Sequence, residues 1–196
     1  SNAEQACAAV APILISGANP SAIEFMEKSG IEISAKHLSL SFDFMENCEA
    51  YLLIEVDGND LDIINKEIES IAETLYQKQA FDVLLADSAD KKEHFWKIRR
   101  AIGETVKATS IYKEEYTVVP RAQLPELLSG VKAIGLKYGF ESVCYGHAGD
   151  GNLHVNILKG DLSDDFWNGE LKLAIKEIFE LCKKLGGTIS GEHGIG

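Results

Sequence analysis

Two histidines on either side of an Asp-Gly dipeptide carry the first chemical signal in this chain. They lie in the run Tyr145-Gly146-His147-Ala148-Gly149-Asp150-Gly151-Asn152-Leu153-His154-Val155-Asn156. Asp-Gly between alternating residues is a strong signal for a two-residue type I′ hairpin turn. With Asp150-Gly151 as that turn, Gly149 faces Asn152, Ala148 faces Leu153 and His147 faces His154. The two imidazoles then leave one face of the hairpin with Cβ atoms about 5 Å apart. Alternation places Tyr145 and Asn156 on the same polar face, and Ala148, Leu153, Val155 and Ile157 on an apolar back. Two neutral imidazoles so placed can hold one cation, and each can equally be a hydrogen-bonded surface histidine. A register shifted by one residue would part them, because it turns every side chain of one strand to the other face.

A second segment, Gly186-Gly187-Thr188-Ile189-Ser190-Gly191-Glu192-His193-Gly194-Ile195-Gly196, sets a carboxylate beside a titratable base. Its glycines permit close backbone approach to a ligand. Glu192 together with His147 and His154 would make a His₂-carboxylate metal site with positions open to substrate. Taken alone, the segment reads as a glycine-rich turn with exposed charges.

The formal net charge of -12 opposes nucleic-acid and anionic-membrane partners. An anionic substrate must therefore be held by a local group of cations or by a metal. Cys7, Cys48, Cys144 and Cys182 are widely spaced and read as free thiols. No apolar run approaches the roughly 18 residues that span a bilayer. The cysteine pattern fits a cytosolic protein, so a cytoplasmic location is expected, with peripheral membrane contact of a full-length protein left open. Ser1-Asn2-Ala3 reads as the scar of a cleaved tag, and residues 4–196 as one domain.

The elements that must position these residues follow from periodicity. Helices are expected over residues 4–17 and 20–28, with Pro12 kinking or breaking the first. Strands are expected over 38–44 and 49–57. Leu61, Ile64, Ile68, Ile71 and Leu75 mark the clearest helix. A short strand is expected over 81–86, a helix over 91–107 and a strand over 116–119. A further helix over 124–138 precedes hairpin strands at 141–147 and 152–158. Ser163 can cap a last helix, whose apolar face is Leu171, Ala174, Ile178, Cys182 and Leu185. Tight strand connections exclude an all-parallel sheet. The fold class is α+β, ferredoxin-like, with a largely antiparallel sheet and helices packed on one face.

The pattern G-H-x-G-D-G-N-x-H, followed some forty residues later by G-E-H-G-x-G, resembles the C-terminal cap domain of FAD-linked oxidases of the vanillyl-alcohol oxidase superfamily. That family includes glycolate oxidase subunits, D-lactate dehydrogenases and D-2-hydroxyglutarate dehydrogenases. Residues 17–26, Phe95-Trp96-Lys97-Ile98-Arg99 and Glu115-Tyr116-Thr117-Val118-Val119-Pro120 fit the same domain, so the resemblance spans nearly the whole chain. It implies His147, His154 and Glu192 as ligands of a divalent metal, zinc or a similar ion, and His193 as the catalytic base. It implies Arg99 as the partner of the substrate carboxylate, Asn156 as a polar substrate contact and Lys113 as a second cationic contact. Gly103 stands where some members carry threonine, and Tyr116 where an acidic residue is common. FAD is expected on an N-terminal FAD-binding domain absent from this chain, which is also expected to be truncated at its C-terminus.

The resemblance implies oxidation of a small D-2-hydroxy acid to the 2-oxo acid, with the electron acceptor unspecified. In that reading His193 would take the hydroxyl proton, and the flavin of the absent domain would supply the acceptor for the Cα hydride. This chain alone is expected to be inactive. Two rivals use the same residues differently: a metal-dependent hydrolase with His193 as base, and a non-catalytic ferredoxin-like binding module.

Overall fold

The computed structural model describes residues 2–41 and 47–189. Helix α1 (Ala3–Ile15) starts at Asn2, whose side chain accepts from the Gln5 amide while the Gln5 side chain accepts from the Asn2 amide. This reciprocal pair satisfies two donors that a helix start leaves open. Pro12 is carried inside the helix without ending it.

Strand β1 (Ala22–Glu27) occupies residues expected to be helical. Ala, Glu and Met favour helices weakly, and that preference yields to a central place in the sheet, with partners on both edges. The helix comes next instead, as α2 (Lys28–Leu38), and ends at Ser39 in the left-handed conformation, φ 53°. Residues 38–41 are therefore not the start of a strand, and the rest of that expected strand, 42–44, lies outside the described residues.

β2 (Ala50–Glu55), α3 (Leu61–Gln77) and α4 (Ala89–Thr109) fall where periodicity puts them. The expected strand at 81–86 joins no ladder, and Phe81, Leu84 and Leu85 stay exposed. A short apolar run names no pairing partner, and among the described residues none pairs with it. β3 (Tyr112–Val118) begins four residues earlier than expected. α5 (Leu124–Tyr138), β4 (Glu141–His147), β5 (Asn152–Leu158) and α6 (Leu171–Lys184) complete the described chain.

The sheet order is β2-β1-β4-β5-β3, and every neighbouring pair is antiparallel. β3 and β4 both oppose β5, so they run parallel to each other, joined through α5. After β5, α6 returns the chain to the outer edge of β3, where Val118 and Thr188 form an antiparallel bridge. The order Thr188, β3, β5, β4 is the ferredoxin-like arrangement, and β1 and β2 extend it.

Phe25, Cys144, Leu153, Val155 and Ile157 bury one sheet face in the larger core, with Val10 and Ile13 of α1, Leu128 and Val131 of α5, and Ile178 and Cys182 of α6. The second face carries Met26 and Tyr145 against Ile31 of α2 and Ile98, Ile102 and Val106 of α4. The expected cover of the first face is thus extended by α2 and α4 over part of the second. The four cysteines are free and buried. Among the described residues no helix is long and apolar enough to cross a membrane.

Candidate functional site

The hairpin differs from the expected two-residue turn. Ala148–Asp150 form a 3₁₀ turn closed by the Gly151 amide donating to Ala148 O at 3.0 Å, and Gly151 takes φ 77°. The Arg121 side chain donates to Gly149 O from outside the loop. The longer loop moves the ladder by two positions, so His154 stands opposite Tyr145, not His147. A shift of two keeps the parity of every side chain, so His147, Tyr145, His154 and Asn156 still share one face. His147, where β4 leaves β5, pairs with Glu24 of β1. The two imidazole centroids are 6.0 Å apart with planes at 73°.

Each imidazole is gripped at Nδ1 by a carboxylate. His147 Nδ1 is 2.8 Å from Glu24 Oε1, and His154 Nδ1 is 3.3 Å from Glu114 Oε1. A carboxylate that stays ionised only accepts, so Nδ1 is the protonated nitrogen in both rings. His154 is further fixed by the Tyr145 ring, stacked at 5.0 Å and 5°, and by the Tyr116 ring, edge-on at 4.8 Å. Tyr116 and Glu114 come from β3, two residues apart and hence on one face.

Glu24 has a second partner. Arg99 projects from α4, next to Ile98, whose burial with Ile102 and Val106 docks that helix on the sheet. Its Nε donates to Glu24 Oε2 at 2.9 Å, and Nη2 lies 2.6 Å from the same oxygen. That second contact is off the angle of a hydrogen bond, leaving Nη2 a buried donor with charge attraction only. Burial alone would raise the Glu24 carboxyl, but the hydrogen bond with His147 and the charge of Arg99 outweigh it and hold the group below its ordinary range. The guanidinium also lies 5.0 Å over the Tyr145 ring. Gly103, one turn on, makes room for this ring: a Cβ there would sit 2.8 Å from the Tyr145 hydroxyl oxygen.

The hydrogen bond from His154 holds the Glu114 carboxyl below its ordinary range, against burial. The Tyr145 hydroxyl donates to Glu114 at 3.2 Å, and burial, then the Glu114 charge, push its own pKa up. Asn156 is fully buried beneath this group, its amide donating to Val143 O at 3.3 Å, with its carbonyl oxygen unpaired. A substrate would reach it only if its cover moved.

Lys113 is not part of this face. It pairs with Ile157 in the ladder and points into the other side, where its Nζ donates to Trp167 O at 3.0 Å and lies 5.0 Å over the Trp167 ring. The residue on the site face is its neighbour Glu114. Glu192 and His193 lie outside the described residues. Among the described residues no three His, Cys, Asp or Glu side chains converge in a metal-holding cluster. The structure brings together the histidines and Arg99 named from the sequence, and adds Glu24 and Glu114, which sequence reasoning did not name. The available signals were a glutamate inside the apolar run Ala22–Glu27, and Glu114 two residues from Tyr116.

Comparison with known proteins sharpens this picture. The family model described as "FAD linked oxidases, C-terminal domain" matches residues 1–196. The chain is 32% identical over 200 residues to D-lactate dehydrogenase of Anaerostipes hadrus, covering 100% of this chain and 42% of that protein. It is 34% identical to D-2-hydroxyglutarate dehydrogenase of Stutzerimonas stutzeri (strain A1501), over 78% of this chain and 33% of the relative. Against glycolate oxidase subunit GlcD of Escherichia coli (strain K12) identity is 33%, over 98% and 38%. The chain thus spans about two fifths or less of these relatives. Among solved structures, alkyldihydroxyacetonephosphate synthase shares the fold, with TM-score 0.51 and 16% identity over 95% of this chain and 38% of that one.

Proposed function

Because this chain belongs to the family of FAD-linked oxidase C-terminal domains, we propose that it is the substrate- and metal-binding part of a flavin-dependent dehydrogenase. The enzyme oxidises a D-2-hydroxy acid of the lactate, glycolate or 2-hydroxyglutarate class to the 2-oxo acid. The observation that carries the reading is the pair of imidazoles, each tied at Nδ1 to a carboxylate, one of which also pairs with a buried arginine. The names of the matched relatives favour oxidation over hydrolysis.

The donor set fits a divalent ion. Histidines that ligate metals commonly give their other ring nitrogen to a carboxylate, which fixes tautomer and orientation. His147 and His154 would hold the ion, with Glu192 completing the set; zinc suits these ligands. A bound ion supplies Lewis acidity that lowers the pKa of the substrate hydroxyl. The flavin, bound by the FAD-binding domain of a longer protein, supplies the hydride acceptor.

The chain's own residues do the rest. Arg99 offers its guanidinium charge to the substrate carboxylate, while Glu24 holds the Nε/Nη2 edge and fixes its orientation. Tyr145 and Tyr116 keep the His154 ring from turning. His193 takes the hydroxyl proton, a role suited to a group titrating near neutrality. Asn156 lies buried against Tyr145 and supports that ring from beneath. A cytoplasmic setting belongs to the same proposal.

The test is anaerobic addition of D-lactate, glycolate and D-2-hydroxyglutarate to the full-length flavoprotein. Bleaching of the oxidised flavin band by at least one is expected. An unchanged spectrum with all three would overturn the assignment.

A further inference from the structure

The face that carries the imidazoles presents a carboxylate where a second cation was expected. Glu114 stands opposite Asn156 and Tyr116 opposite His154 in the β3–β5 ladder, so Glu114 shares their face while Lys113 takes the other. Glu114 is not a loose surface side chain. It is 16% exposed and fastened by the Tyr145 hydroxyl and His154.

Among the described residues, the charges at this face are few. Glu24 and Arg99 are paired with each other. Glu55 accepts from the Trp96 indole at 2.5 Å. Lys107, exposed on α4, adds only a weak positive field at Glu114. The cation nearest the imidazoles for one incoming carboxylate is the Arg99 guanidinium, whose charge Glu24 already shares. A second would enter the field of Glu114. Like charges brought together away from bulk water repel, and a carboxylate that loses its hydration without a partner is strongly disfavoured.

We propose that Glu114 sets the substrate class of this site: it favours 2-hydroxy acids with one carboxylate and a short uncharged side chain, and rejects those with a second carboxylate. This rests on the reading above that the face receives a 2-hydroxy acid. Discrimination here comes from a repulsive group set against the wrong ligand, and it does not require tighter contacts to the right one.

The test compares D-lactate with D-2-hydroxyglutarate in the full-length flavoprotein. It reads kcat/KM with an artificial electron acceptor, and calorimetric binding of the products pyruvate and 2-oxoglutarate. The wild-type protein is expected to prefer the monocarboxylate by about tenfold or more in both readouts. Glu114→Lys narrows that ratio by about tenfold, chiefly through KM. Glu114→Gln keeps an oxygen to accept from His154 and Tyr145, and shifts the ratio the same way by less; it carries the test should the lysine variant not fold. Lys113→Gln, on the opposite face, leaves the ratio unchanged. A wild-type preference for the dicarboxylate, or a ratio unmoved in the Glu114 variants, overturns the role of Glu114 while leaving hydroxy-acid oxidation intact. Failure of the wild-type protein to turn over or bind any of the four ligands overturns the underlying reading and this proposal with it.

Discussion

Glu24 ties the arginine side of the candidate site to the histidine side. One oxygen holds His147 and the other holds Arg99, so a single buried carboxylate orients both. Its loss would leave the Arg99 charge buried without its partner, and breaking a buried pair from one side costs about 3–5 kcal/mol. Glu24→Gln is therefore expected to lower unfolding free energy by about 3 kcal/mol. Urea titration at pH 7 checks this, and a change below about 0.5 kcal/mol would show that solvent already shares the pair. Neither Glu24 nor Glu114 could be read from the sequence as a partner of these histidines. Each contact joins residues far apart in the chain, 123 positions for Glu24 and His147, and only the ladder register brings them together.

At the scale of elements, strong periodicity was legible and local preference was not. α3, α5 and the two hairpin strands stand where the pattern of apolar residues puts them, because that pattern reports a buried face directly. β1 was hidden because it is buried on both faces, with Glu24 on one and Glu27 on the other. Two charged residues inside a central strand break the alternation that marks a strand. Glu27 is held there by Lys132 at 2.8 Å and by the Cys144 amide. The histidine pair survived a wrong turn type because the error in register was even. The neighbouring strand carries a costlier carboxylate. Glu115 points away from the site, and burial raises its pKa from 4.5 to about 7, with Lys113 lowering it less and Glu114 raising it further. A carboxyl with a raised folded pKa favours the folded state when protonated. That advantage is full below its unfolded value and fades as the pH climbs towards about 7. Glu115→Gln is expected to leave stability unchanged near pH 4 and to raise it at pH 8 by about 1–2 kcal/mol, allowing for partial exposure. Equal stability differences at the two pH values, read by urea unfolding, would show that this carboxyl ionises freely.

The whole molecule is acidic, with a formal net charge of -12, so nothing in its long-range field draws in an anionic substrate. Under the proposed function, selectivity for an anion would have to be local, and the candidate device is one buried guanidinium beside two imidazoles. Hairpin spacing put the two histidines on one face, and the family resemblance added Arg99 to them. The sequence could not place Glu192 and His193 against them, and these two lie outside the described residues. The central claim is that the imidazole pair activates the substrate, and the rate of anaerobic flavin reduction by the preferred D-2-hydroxy acid tests it most directly. In the full-length protein, His147→Ala and His154→Ala should each slow that step by about 10² or more, with the flavin still bound. Reduction within about twofold of the wild-type rate in both variants would contradict the account.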